Sequence, residues 1–197
     1  MRIGIDIDGV LTDYERFVAD YGAKFCTEHN IPYSIKPEHY DEGKVFGWTE
    51  EQTEAFWNEY LVYYASNYPT REFASEMIQK LKEEGHEIYI VTSRNEYGLP
   101  KEYQGKMKEL VEAWLNKNAI CYDKIIYTEG SKLKYCVGNY VELMIEDYSK
   151  QVKEIATQIP VLCFDSKYNQ EAKGKNITRV YSWYDIYNKM GDFRDVP

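Results

Sequence analysis

Short apolar runs recur along the chain, each bounded by polar or turn-forming residues. Six of them read as buried strands: Arg2–Ile7, Glu87–Thr92, Lys124–Tyr127, Leu143–Ile145, Val161–Phe164 and Thr178–Tyr181. Runs that are apolar almost throughout suit strands covered on both faces. Helix-like stretches separate them. Glu72–Glu84 precedes the second run, Tyr103–Asn118 follows it, and Lys132–Val137, Lys150–Gln158 and Trp183–Met190 come later. Gly85 stands where a helix-terminating residue belongs, just ahead of the second strand. This alternation predicts an α/β fold with a parallel sheet and helices on both faces.

One section breaks the alternation. Between about Tyr14 and Tyr68 no central strand is evident, while aromatic-rich, helix-like sequence is plentiful. Thr49-Glu50-Glu51-Gln52 has the form of a capping box, with Thr at the cap and Gln three residues on. Phe56, Trp57, Tyr60, Leu61 and Tyr64 then follow at the spacing of an amphipathic helical stripe. Residues 14–68 are therefore expected to form a small helical cap inserted after the first strand, with 1–13 and 69–197 forming the core.

Composition narrows the classes. The chain has 197 residues, enough for one ordinary core with a modest insertion. An apolar fraction of 44% and a charged fraction of 29% are those of a soluble globular protein. The net charge of −9, with no Lys/Arg-rich run to offset it, argues against a nucleic-acid polymer as partner. A small anionic substrate is still compatible, because a bound cation can reverse the field inside one pocket. Cys26, Cys121, Cys136 and Cys163 lack metal-ligand or paired spacing, and His29, His39 and His86 suggest no zinc site. The amino-terminal residues enter strand-like sequence without an apolar signal segment, and no run reaches the roughly 20 apolar residues of a membrane span. A reducing cytoplasm is the expected location, with no membrane partner. Oligomeric state is not legible.

In an open parallel sheet, ligands bind beyond the carboxyl ends of the strands, and the residues there are polar and convergent. The first strand runs into Asp6-Ile7-Asp8-Gly9-Val10-Leu11-Thr12. One carboxylate can attack phosphorus and bind a metal, and the other can protonate a leaving oxygen; Asp-Gly alone is also a common turn. Thr92-Ser93-Arg94 follows the second strand and offers hydroxyls to a phosphoryl oxygen, though a helix cap would use the same residues. Lys132, with Lys134 as competitor, follows the third and can neutralise phosphate charge. Glu146-Asp147 ends the fourth; buried acids there are costly unless they bind a cation or are well hydrogen-bonded. Four such features after four successive strands carry more weight together than any one alone.

This order resembles the haloacid dehalogenase (HAD) superfamily, whose motifs are Asp-x-Asp-x-Thr/Val, a strand-terminal Thr or Ser, a Lys and an acidic pair. The resemblance covers about Met1–Asp13 and Glu72–Phe164 and implies a Rossmann-like core. It implies Asp6 as nucleophile and Mg2+ ligand, and Asp8 as general acid/base, kept protonated by its site, with its carbonyl on the metal. Thr92, Ser93 and Lys132 match phosphate-binding positions, Asp147 an acidic metal ligand, and Glu146 a ligand acting directly or through water. An acid two residues after the nucleophile is absent from the dehalogenases themselves, and the related cation pumps carry Thr there. Asp8 thus implies a phosphatase or phosphomutase acting on a small phosphomonoester. Val10 and Glu146 depart mildly from the commoner Thr and Asp.

The insertion, the Ile7-Asp8-Gly9-Val10 stretch and Thr92-Ser93-Arg94 look most like the 5′(3′)-deoxyribonucleotidases and their bacterial relatives. In that subgroup aromatic cap residues stack on the base. Phe46, Trp48, Phe56, Trp57 and Tyr64 are candidates for such a wall, with Phe46 and Trp48 expected to overhang the site; packing into the cap's own small core is the alternative for each of them. Arg94 is a candidate substrate contact, although a surface arginine at a helix start is the plainer expectation. A sugar-phosphate phosphatase, a phosphomutase and a non-catalytic phosphoryl-binding module are the competing readings.

Overall fold

The computed structural model describes residues 1–193; residues 194–197 of the expected core segment lie outside the described residues. In chain order the elements are β1 (Arg2–Ile5), α1 (Tyr14–Glu28), α2 (Glu42–Phe46), α3 (Glu50–Ser66), α4 (Ala74–Glu83), β2 (Glu87–Thr92), α5 (Met107–Lys117), β3 (Lys124–Tyr127), α6 (Leu133–Gly138), β4 (Leu143–Glu146), α7 (Ser149–Ile155), β5 (Val161–Phe164), β6 (Ile177–Val180) and α8 (Trp183–Lys189). The strands form one sheet in the order β3-β2-β1-β4-β5-β6, and every neighbouring pair is parallel. The fold is the expected Rossmann-like α/β arrangement. The chain works outward from β1 to β3 on one side and then from β4 to β6 on the other. The crevice at this reversal is where such sheets bind ligands.

Alternation along the strands explains the layers. Ile3, Ile5, Ile88, Ile90, Leu143 and Ile145 belong to one buried cluster, whereas Val91, Met144, Val161 and Cys163 belong to another. Successive side chains point to opposite faces, so both faces are apolar and both need helices. A Cβ on Gly4 would come within 2.6 Å of Met144 Sδ, so glycine leaves the space that the Met144 side chain fills. The four cysteines are free. No helix among the described residues is long and apolar enough to cross a membrane.

Two expected boundaries move for backbone reasons. β1 ends at Ile5 rather than Ile7, because the chain turns through Gly9 at φ 84°. The helix expected from Tyr103 begins only at Met107, since Gly105 takes φ 81° and breaks the approach to α5.

Between β1 and α4 lie the three helices α1–α3. The chain leaves the sheet at Thr12 and returns at Thr70, and an antiparallel bridge joins the two passes. Arg71 pins this neck: its Nε donates to Gly9 O at 3.2 Å, its Nη1 to Asp13 at 3.1 Å, and its guanidinium lies over the Phe164 ring. Thr49 and Gln52 form the capping box that opens α3. The three helices bury their own aromatic cluster, including Phe17, Phe25, Phe46, Trp48, Phe56, Tyr60 and Tyr64. Phe17 is fully buried at its centre, against Tyr21, Phe56, Trp57, Tyr64 and Tyr68. Phe17→Ala is expected to cost about 3–5 kcal/mol, read from the urea midpoint; a loss well under 1 kcal/mol would show that this cluster adds little to the fold.

Candidate active site

Asp6 is the first residue past β1, and its N–H still donates to Ile145 O at 3.0 Å, continuing the ladder with β4. That bond fixes the nucleophile candidate beside the end of β4. Lys132, at the start of α6, places Nζ 2.8 Å from Asp6 Oδ1 and 2.7 Å from Glu146 Oε2. Its N–H donates to Gln151. Lys132 is therefore the lysine of the site; Lys134 is exposed and lies over the ring of Tyr135.

Asp6, Glu146 and Asp147 are buried, with one carboxylate oxygen of each within 4.8 Å of the others. Burial, then repulsion from Glu146, pushes the Asp6 carboxyl well above the usual range against the pull of Lys132. Burial, then Glu146 and Asp6, raises Asp147 in the same way. Burial works to lower Lys132, but Asp6 and Glu146 outweigh it and hold the ammonium charged. Both oxygens of Glu146 are engaged. Oε2 accepts from Lys132, and Oε1 accepts the N–H groups of Asp147 and Tyr148, each at 3.0 Å. Its visible task is to seat Lys132 and the turn after β4. Asp147 differs: Tyr168 donates its hydroxyl to Oδ2, while Oδ1 is buried without a partner. Gly9 sits against this carboxylate, where a Cβ would fall 1.9 Å from Oδ2.

Asp8 departs from expectation. Arg94 grips it with Nε at 3.0 and 3.3 Å and Nη2 at 2.7 Å, and only 5% of the Arg94 side chain is exposed. Burial works to raise Asp8, but the guanidinium outweighs it and holds the carboxyl below its usual value. The site therefore keeps Asp8 ionised, not protonated as expected. Arg94 is likewise no surface residue: its guanidinium lies between the rings of Tyr64 and Trp114, at 5.0 and 5.7 Å. Thr92 is fully buried, and its Oγ1 accepts from Arg94 N at 3.2 Å. Ser93 is exposed and pairs with Thr128 at 2.8 Å.

A cavity of about 230 Å³ opens at Asp8, Ser93 and Arg94, walled by Tyr14, Tyr40, Trp57, Leu61, Tyr64 and Tyr97, among others. Phe46 and Trp48 do not overhang it. They stack at 4.6 Å inside the cluster of α1–α3, and Phe46 lies against Gly22. Phe56, also a wall candidate, is fully buried in the same cluster. A glycine on α1 makes room for the Phe46 ring, a packing relation invisible to residue spacing. The sequence reasoning passed over Tyr14, Tyr40 and Tyr97 as wall residues, and Tyr168 at Asp147. Tyr14 carried a signal, standing one turn past the acidic motif; the others are brought in by loops.

Comparison with known proteins agrees with this geometry. The family model "5' nucleotidase, deoxy (Pyrimidine), cytosolic type C protein" matches residues 1–193. The chain is 29% identical to "Putative nucleotidase YqfW" of Bacillus subtilis, over 98% of this chain and 94% of that protein. It is 27% identical to a protein of Bacillus cereus named "Putative nucleotidase", over 94% and 96% of the two chains. Among solved structures, "a predicted phosphatase from Clostridium acetobutylicum" superposes with TM-score 0.63 at 16% identity, covering 97% and 98% of the chains. A haloacid dehalogenase-like hydrolase of Streptococcus pneumoniae gives 0.61 at 13%, covering 98% of each, which shows a shared fold. The chain belongs to the cytosolic type C 5′-nucleotidase family and is a phosphoric monoester hydrolase with a haloacid dehalogenase-like fold.

Proposed function

We propose that the protein is a Mg2+-dependent 5′-nucleotidase that releases phosphate from (deoxy)ribonucleoside monophosphates through a phospho-aspartyl intermediate on Asp6. Residues 14–68 act as a cap over a core made of 1–13 and the chain from 69. The observation that carries this reading is the contact of Lys132 with Asp6 beside an aromatic-walled cavity that opens at Asp8. Flat rings grip bases well, and Tyr14, Tyr40, Trp57 and Tyr64 supply them here. The cytoplasm is the proposed location, and no nucleic-acid polymer or membrane is involved.

The residues fit a magnesium ion. Three buried carboxylates face a single ammonium, Asp147 Oδ1 is an acceptor without a donor, and the cluster is all oxygen. Oxygen-only sites suit Mg2+ rather than zinc. Asp6, Asp147 and the Asp8 carbonyl would hold it, with Glu146 assisting directly or through water. When bound, Mg2+ lowers the repulsion between Asp6 and the incoming phosphate.

Asp6 attacks phosphorus in line, forming the acyl phosphate as the bond to the leaving oxygen breaks. Lys132, the Thr92 and Ser93 hydroxyls and nearby N–H groups steady the phosphoryl oxygens. Asp8 gives its proton to the leaving oxygen, then takes one from the water that hydrolyses the acyl phosphate. The Arg94-bound carboxylate is the form suited to the second of these steps. For the first, Asp8 must take up a proton before the attack, one that a monoanionic phosphomonoester can bring with it, and this loosens the guanidinium grip. A sugar-phosphate phosphatase would share this core and differ in the panel below.

Asp6→Asn is expected to fold and to release no phosphate above background; retained turnover would sink the mechanism. With Mg2+, wild type should release phosphate most readily from nucleoside monophosphates. Release only from sugar phosphates would overturn the substrate, and release that persists in EDTA would overturn the metal requirement. Asp8→Asn should lose roughly 10²-fold or more on nucleotides. With p-nitrophenyl phosphate, whose leaving group needs no proton, it should still give a burst of nitrophenolate before the slowed water step; absence of that burst would count against Asp8 as the acid. Asp147 is raised in the folded state, so its stabilising protonation is lost as pH rises through that raised value, and its charge is a cost above it. In EDTA at neutral pH, Asp147→Asn should therefore melt above wild type, and a lower melting temperature would contradict the burial argument.

A further inference from the structure

We infer that Tyr168 is a positioning residue for the divalent cation: its hydroxyl holds one oxygen of Asp147 so that the other, Oδ1, is presented to the ion. This rests on the metal reading given above.

A carboxylate can rotate about its terminal bond and exchange its two oxygens. The Tyr168 hydroxyl holds Asp147 against this exchange, through one of its two oxygens. Oδ2 accepts the Tyr168 hydroxyl and lies over Gly9, where there is no side chain to displace it. Oδ1 is buried and has no protein donor. The division of labour is uneven in the way a one-oxygen metal ligand requires, with one lone-pair set spent on the protein and one left over.

Tyr168 is itself held firmly. It is 6% exposed, in the short turn after β5. Its neighbour Asn169 donates from Nδ2 to Asp147 O and to Phe164 O, both at 2.8 Å, and accepts the Ser166 N–H at Oδ1. The same turn thus fixes the backbone of Asp147 through Asn169 and its side chain through Tyr168. The Tyr168 ring meets Tyr40 and Tyr14 edge-on, at 5.2 and 6.4 Å, and both come from the 14–68 section. Tyr14 and Tyr40 also wall the cavity at Asp8. One hydroxyl therefore links the aromatic wall of the cavity to a metal ligand.

A ring that only packed one section of the chain against another would not need its hydroxyl. Phenylalanine at 168 keeps the ring and removes the donor, which separates the two roles. Losing an outer partner of a metal ligand commonly costs 10–100-fold in metal affinity.

The test is magnesium binding to the EDTA-stripped, full-length protein without substrate. MgCl2 is titrated calorimetrically and through its effect on melting temperature, in wild type, Tyr168→Phe and Asp147→Asn. Tyr168→Phe is expected to bind Mg2+ 10–100-fold more weakly while melting close to wild type in EDTA, and Asp147→Asn to lose binding. Unchanged affinity in Tyr168→Phe, with or without a lower melting temperature, assigns the residue to packing and overturns the inference. Wild-type affinity in Asp147→Asn as well would place the ion elsewhere, and the metal reading itself would then fail.

Discussion

Three carboxylates and one ammonium crowd together at the end of β1 and β4, and that imbalance organises everything around it. Asp6, Glu146 and Asp147 are buried together, and Lys132 reaches two of them. Burying charge without compensation is expensive, so the surplus must be met by hydrogen bonds, by proton uptake or by a cation. The chain meets part of it itself. Glu146 accepts from Lys132 and two backbone N–H groups, and one oxygen of Asp147 accepts from Tyr168. What is left over is the negative charge of the cluster and the unpartnered Oδ1 of Asp147.

The backbone serves the same constraint. β1 and β4 pair in parallel, with Gly4 opposite Met144, and Asp6 continues their ladder by one bond. Gly9 then turns the chain at positive φ directly against Asp147. Here glycine is needed twice over, for its conformation and for its missing Cβ. The turn leads the chain out at Thr12, and Arg71 ties the returning strand to Gly9 and Asp13. The neck of the inserted helices is thereby anchored to the stretch that follows Asp6.

Asp8 and Arg94 show a different balance. The ion pair is largely shielded, and its guanidinium is stacked between a ring of α3 and a ring of α5. Such a pair keeps a carboxylate ionised and oriented, which suits proton abstraction from water better than proton donation. The two halves of the proposed reaction thus ask opposite protonation states of one side chain, and Arg94 is the group that sets the difference between them.

Much of this was written in the sequence. The alternation of apolar runs with helices fixed the parallel sheet, because period and burial follow from side-chain chemistry alone. Asp6, Asp8, Lys132 and the Glu146-Asp147 pair stood out because each follows a strand, and strand ends in such sheets converge. The capping box at Thr49 was legible for the same local reason. What only the tertiary structure decided is which partner each group meets. Asp8 was expected protonated, but Arg94, 86 residues away, settles its charge. Phe46 and Trp48 were expected over the site, yet a groove at Gly22 draws Phe46 inward, and tyrosines from the loops and from α1 and α3 line the cavity instead. Tyr168 carried no sequence signal, because its role comes from a turn after β5 that reaches back to Asp147. Local periodicity and capping are encoded within a few residues; hydrogen-bond partners and ring contacts across the chain depend on distances that exist only once it has folded.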